Sequence, residues 1–228
     1  KVEKAATKKT GMSLLTWAVL ANDLAVVKQL LRDGTASSNK KEVNRGVAVE
    51  RPVLLLWKKQ TPVMLAMVFS RFEIVEALLN AGANPTARTS HLGADAVFLA
   101  ALTGRADNLT EWLARFPQWD LERRETKTGG TALLNAICFG GSPKMDAVRV
   151  LLDAGANIRV RNYLGINVIP HATINLDLGS EDVLRLLLER APDLLNVPLR
   201  ATSCKFKVIL WLLRFAVRRG VTSKTVKW

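Results

Sequence analysis

At 228 residues with 49% hydrophobic content, the chain is long enough to bury a continuous core in one elongated domain. No run of 18 or more apolar residues occurs, so the sequence offers no obvious helical membrane span. The formal net charge of +13 is unevenly placed: +3 in residues 1–10, +4 in residues 39–60 and +8 in residues 194–228, against −2 across residues 61–193. A polyanion-binding protein more often spreads its charge along one face, whereas this chain carries basic appendages on a nearly neutral body. Cys138 and Cys204 are the only cysteines. They form no disulfide framework, which favours a reducing compartment, the cytoplasm or an organelle interior.

Residues 1–10 read as a flexible basic lead-in. The chain begins at Lys1 rather than Met, which is read as a fragment or processed chain and leaves room for a lost targeting segment. A first helix-pair unit runs from Gly11 to Thr35. Lys40, Lys41, Glu42 and Arg45 then open a connection of about twenty residues, spanning roughly residues 39–60. It contains Val53-Leu54-Leu55-Leu56-Trp57 between basic residues. That run is either a strand or turn folded over the neighbouring units, or an exposed docking hook anchored by Trp57.

The stretch Gln60 to Ala83 is the clearest unit. Thr61 is expected to cap a helix through its hydroxyl. Pro62 suits the first helical position, where its missing N–H costs nothing. A short helix to about Phe69 is followed by a turn at Ser70-Arg71. The second helix carries Ile74, Val75, Leu78 and Leu79 on one stripe. Gly82 ends it as a residue able to take the left-handed conformation, and Asn84-Pro85 forbid a continuation.

Further copies run from Gly93 to Phe116, from Gly130 to Ala156 and from Gly165 to Asp193. The spacings Ala18–Leu31, Ala66–Leu79 and Ala100–Leu113 are all 13 residues. Ala136–Leu152 and Ala172–Leu188 are 16, with the extra three residues placed in the inter-helix turn. The helix-end markers are Gly34, Gly82, Phe116, Gly155 and Ala191. Phe116 and Trp119 replace the usual small residues in the third copy and read as core filling. A degenerate sixth copy runs from Val197 to Gly220. Two helices this short cannot bury their apolar faces alone, so each unit needs a neighbour on either side.

The pattern Thr61-Pro62-Val63-Met64-Leu65-Ala66, followed by V-x-x-L-L-x-x-G-A, resembles the ankyrin repeat, with Met64 in place of the usual histidine. The resemblance covers about five repeats, Gly11 to Asp193. It implies a mainly α solenoid of stacked helix-turn-helix units with hairpin loops. The repeat domain is then residues 11–198, and residues 199–228 form a basic, apolar C-terminal helix, a degenerate repeat or cap. The hairpins fall at Pro85–Leu92, Leu121–Lys127 and Ile158–Leu164. Ankyrin proteins usually grip partners with hairpin tips and inner helices. By that resemblance the candidate contacts are Arg88, His91, Arg123, Arg124, Lys127, Arg159, Arg161 and Tyr163, and the successive arginines lean toward an acidic partner surface.

In the last thirty residues, Phe206, Leu210, Leu213 and Val217 share one helical face, thickened by Trp211 and its neighbours and flanked by Arg214, Arg218 and Arg219. Val208–Val217 is too short to span a bilayer, and Arg214 interrupts it. A terminal cap, a helix buried in a larger assembly and a helix lying on an anionic membrane remain open.

No catalytic constellation is legible. His91 and His171 have no metal-ligand spacing with either cysteine. His91 reads as a loop residue, His171 as a structural hydrogen-bonder and Cys138 as a small buried hydrophobe. No phosphate-binding glycine motif and no nucleophile motif occurs. The expected function is a non-catalytic scaffold for protein–protein interaction, a subunit or segment of a larger assembly, with no cofactor and no metal. Membrane anchoring through the basic C-terminal helix, and nucleic-acid or ribonucleoprotein binding through the basic ends, are the alternatives.

Overall fold

The computed structural model describes residues 12–34, 36–46, 59–138, 144–174 and 181–196. Among the described residues the chain is helical, without strands: α1 (Leu14–Leu20), α2 (Leu24–Asp33), α3 (Ala36–Val43), α4 (Pro62–Phe69), α5 (Phe72–Asn80), α6 (Ala96–Thr103), α7 (Ala106–Arg115), α8 (Ala132–Cys138), α9 (Met145–Asp153), α10 (Val168–Ile174) and α11 (Glu181–Arg190), with a 3-10 turn over Pro192–Asn196. The order α1, α4, α6, α8, α10 forms an inner row, each helix packed on the next. The order α2, α5, α7, α9, α11 forms an outer row laid against it. This is a solenoid of antiparallel helix pairs, as the repeat pattern implies.

The inner helices start at equivalent residues. Ser13 accepts a hydrogen bond from the Thr16 N–H at 3.2 Å, Asp95 from Phe98 at 2.9 Å, Thr131 from Leu134 at 3.5 Å and Asn167 from Ile169 at 3.1 Å. Each satisfies a donor that the first helical turn leaves unpaired. Thr61 departs from this scheme. Its hydroxyl makes no capping bond and is buried without a partner. Pro62 opens α4 instead, and α4 is held by burial of every residue from Pro62 to Val68.

The outer helices are one-sided. On α5, Ile74, Val75 and Leu78 are buried and Leu79 is half-buried. Gly82 and Gly155 follow α5 and α9 with φ of 90° and 91°, the left-handed geometry expected after a helix. Gly34 does not behave this way. Its φ is −84°, because the chain leaves α2 extended and re-enters a helix at once. That helix, α3, begins before the long connection read over residues 39–60 and runs into it. Asn44, just beyond it, donates to the Gly82 carbonyl at 2.9 Å and accepts from the Asn84 N–H at 2.7 Å, tying the insertion to the end of α5.

Polar side chains stitch the pairs together. The Ser70 hydroxyl donates to the Val19 carbonyl at 2.6 Å, and the Arg71 N–H donates to Asn22 at 3.0 Å. Buried Asn108 donates to the carbonyls of Met67 and Ser70 at 3.0 and 2.9 Å. Arg105 donates to Val68 and Ser70 at 3.0 and 2.8 Å. The carbonyls ending α4, which have no acceptor role inside their own helix, are thereby satisfied by the next pair.

The expectation for Phe116 and Trp119 agrees with the packing. They close on buried Trp112 with ring centroids 4.9 and 5.2 Å away, the Trp112–Trp119 pair edge to face. Cys138 is only half-buried, and burial raises its thiol pKa. The Nδ1 of His171 is enclosed with no hydrogen-bond partner, contrary to the structural bond expected there, and burial lowers its pKa, favouring the neutral ring.

Candidate docking surface at the hairpin tips

Three successive connections, residues 84–95, 120–131 and 157–167, stack along one edge of the solenoid. Each opens with an Asx turn: Asn84 accepts from the Thr86 N–H at 2.9 Å, Asp120 from Glu122 at 3.0 Å and Asn157 from Arg159 at 2.9 Å. Each is also organised from within by one acceptor side chain. Thr89 accepts from the Ala94 N–H at 3.0 Å. Asn162 accepts from Leu164 and Ile166 at 3.0 and 2.9 Å. Glu125 collects the N–H groups of Lys127, Thr128 and Gly130 together with the Thr128 hydroxyl. Backbone bonds then join tip to tip: Thr126 N–H donates to the Leu92 carbonyl and Tyr163 N–H to the Thr128 carbonyl, both at 2.8 Å.

Burial pushes the Glu125 pKa up, but the Thr128 hydroxyl and the three N–H donors outweigh it and hold the carboxyl below its ordinary value of 4.5. The folded pKa is depressed, so the charge contributes stability above the ordinary value. That contribution is lost as pH falls through the lower folded value. Glu125→Gln is therefore expected to destabilise the protein at neutral pH. The difference from wild type should shrink to nothing in acid below the folded pKa, as read from urea melts across pH 2–7.

The arginines at the tips carry a role that sequence reading did not assign. Arg88 donates to the Gly93 carbonyl in its own loop and to the Arg124 carbonyl in the next. Arg124 repeats this with Gly129 at 2.7 Å and Arg161 at 2.6 Å. Arg161 closes on Gly165 at 2.7 Å. The three form a ladder of guanidinium-to-carbonyl bonds that fixes the spacing of the tips. The signal in the sequence is an arginine four or five residues before each turn glycine, recurring after 36 and 37 residues. Replacing Arg124 by Met removes one rung, worth about 1.5 kcal/mol for a charge-assisted bond. Hydrogen exchange at the Tyr163 amide is expected to speed up about tenfold while α7 amides stay unchanged.

Arg123 serves differently. It is half-buried, lies 5.2 Å over the Trp119 ring and pairs with Asp95 at 3.2 Å. Burial raises the Asp95 pKa, against the opposing pull of the Phe98 N–H, Arg123 and Arg88. Arg159 is exposed and grips Asp193 with two bonds of 3.0 and 2.7 Å, which hold that carboxyl below the usual range.

His91 and Lys127 are exposed at their tips. Tyr163 and Leu164 are exposed by 64% and 70%, the two most exposed large apolar side chains among the described residues. Gly129, at φ 73°, gives the Tyr163 ring its seat, since a Cβ there would come within 2.4 Å of the ring. Trp57, Trp211, Arg214, Arg218 and Arg219 lie outside the described residues.

An ankyrin-repeat family model matches residues 58–90, which take in α4, α5 and the start of the first tip. That stretch is an ankyrin repeat. The match covers one repeat, and the helix pairs on either side of it continue the same stacking. No curated protein matches the chain. Ankyrin repeats are in general protein-interaction modules and typically non-catalytic. Among the described residues no group of three or more His, Cys, Asp or Glu could hold a metal, and no helix is long and apolar enough to cross a membrane.

Proposed function

We propose that this chain is a non-catalytic ankyrin scaffold that docks a protein partner along its hairpin-tip edge, as a subunit or segment of a larger assembly. The observation that carries the reading is the fixed array of tips, in which guanidinium and backbone bonds hold the spacing while Tyr163 and Leu164 stand exposed. A rigid edge binds with little ordering cost, and tyrosine is among the residues that most often anchor an interface. The guanidinium groups of Arg88, Arg124 and Arg161 bond to neutral carbonyls rather than to carboxylates, and with Lys127 they favour a partner carrying carboxylates.

Native purification of the tagged chain followed by mass spectrometry tests this. Stable co-purification with a defined complex is expected, weakened at least tenfold by the pair Tyr163→Ala and Leu164→Ala with the melting curve unchanged. Elution as a lone monomer would overturn the reading. So would flotation on phosphatidylserine vesicles that depends on residues 199–228, or retention of RNA at low salt, with no protein recovered.

A further inference from the structure

His171 lies on α10, four residues after Asn167, whose side chain opens that helix. The same place is filled by Leu65 on α4 and Leu99 on α6, both fully buried, and by Asn135 on α8. Asn135 settles its polarity inside its own helix by donating to the Thr131 carbonyl at 3.0 Å. His171 does not. It is half-buried, and its Nδ1 is enclosed with no hydrogen-bond partner. Asn167 is 3% exposed and spends its oxygen on the Ile169 N–H, which leaves its Nδ2 enclosed and unpartnered as well. Residues four apart share a helix face, so the group one turn before the ring is an amide donor rather than an acceptor.

Among the described residues no carboxylate stands ready for a proton on this ring. Helix α10 packs on α8 and α11. The one titratable group of α8 is Cys138, whose pKa burial raises, so that its thiol stays neutral. On α11 the buried side chains are Val183, Leu184, Leu186, Leu187 and Leu188. Its charged residues lie outside that face: Arg185 pairs with Glu181 at 3.6 Å, Arg190 with Asp153 at 2.5 Å, and Asp182 and Glu189 are exposed.

With its single proton on the other ring nitrogen, neutral His171 turns a bare lone pair inward at Nδ1. A second proton puts a charged N–H there with nothing to accept it, which costs far more than the lone pair does. Burial accordingly lowers the His171 pKa from its ordinary 6.5. The folded form therefore holds the proton less tightly than an opened one. The α10–α11 pair has its full stability above 6.5 and loses it as pH falls toward the lower folded value, below which the loss levels off.

The hairpin tip at residues 157–167 runs straight into α10. Asn162 accepts from the Ile166 N–H at 2.9 Å, and Asn167 follows at once. The tip is held to its neighbour by the Tyr163 N–H on the Thr128 carbonyl at 2.8 Å. We propose that His171 makes the α10–α11 pair an acid-sensitive latch: uptake of a proton at Nδ1 loosens α10 and frees the 157–167 tip, while the tips at 84–95 and 120–131 keep their places. Its consequence for docking rests on the hairpin-tip reading: the end of the edge that bears Tyr163 and Leu164 lets go first in mild acid.

Hydrogen exchange of the full chain at about pH 7 and about pH 5, corrected for the intrinsic pH dependence of exchange, tests the latch. No partner is present, so the result is independent of the docking reading. Protection of the Tyr163 amide and of the α10 amides is expected to fall by up to about tenfold per pH unit below 6.5, with α4 and α5 unchanged. In His171→Phe, which keeps a ring but takes no proton, the fall should disappear. Unchanged protection in wild type, a fall shared equally by α4 and α5, or the same fall in His171→Phe would overturn the proposal. Where that variant does not fold, the wild-type ring decides. The C2–H proton resonance of His171 should titrate with a midpoint below 6.5, in step with the exchange. A midpoint at 6.5 or above, or exchange that does not follow the titration, would equally overturn it.

Discussion

Trp112→Ala is expected to lower the unfolding free energy by about 3–5 kcal/mol, the usual range for deleting a buried large aromatic. Trp112 is fully buried on α7, and its ring is the hub on which Phe116 and Trp119 converge. Truncation leaves a void between two rings that are themselves tilted at 5.9 Å, so little can collapse into it. The damage should also travel. Trp119 underlies Arg123, and Arg123 holds Asp95, the N-cap of α6. The indole Nε1 makes no hydrogen bond, so Trp112→Phe loses area but no polar contact and should cost well under half as much. Urea melts followed by circular dichroism measure both. Equal costs for Ala and Phe would show that ring volume is not what holds this corner.

Leu78→Ala is the second large effect, at about 2–5 kcal/mol. Leu78 is fully buried on α5, between the two rows. In a stack where each pair is held by its neighbours, a cavity in an interior pair weakens two interfaces at once. A broadened melt, with α1 and α2 losing structure before α9 and α11, is the expected signature, read by hydrogen exchange. A cost near zero would mean that the α5 stripe does not face the core.

The helix pairs were legible because their signals are local and repeated. A short polar residue precedes each inner helix, an alanine five residues later allows close approach, and the 13- or 16-residue step to the outer leucine sets the return. Thr61 misled because a capping residue type was read without knowing whether the first turn would use it; Pro62 and complete burial settle α4 without the hydroxyl. Helix α3 was hidden because its sequence has no apolar period; of its residues 40–43, Val43 alone is buried outright. The tip arginines were picked out as charges, yet their bonds run to backbone carbonyls 36 and 37 residues away, and a carbonyl leaves no mark in a sequence. Tyr163 was singled out as a candidate contact from its hairpin position; its neighbour Leu164, exposed by 70%, was placed in the same hairpin but not singled out.

The arginine ladder has a direction. Each guanidinium reaches forward, from Arg88 to the Arg124 carbonyl and from Arg124 to the Arg161 carbonyl, and also holds a carbonyl of its own turn. Such a chain of bonds tolerates change only in whole units. Duplicating or excising one complete unit leaves every rung with a successor, whereas a partial insertion strands one donor and one acceptor. The same rungs make the molecule extensible by copying: a chain lengthened by one intact module would present one more tip, at the same spacing, without redesign of the others.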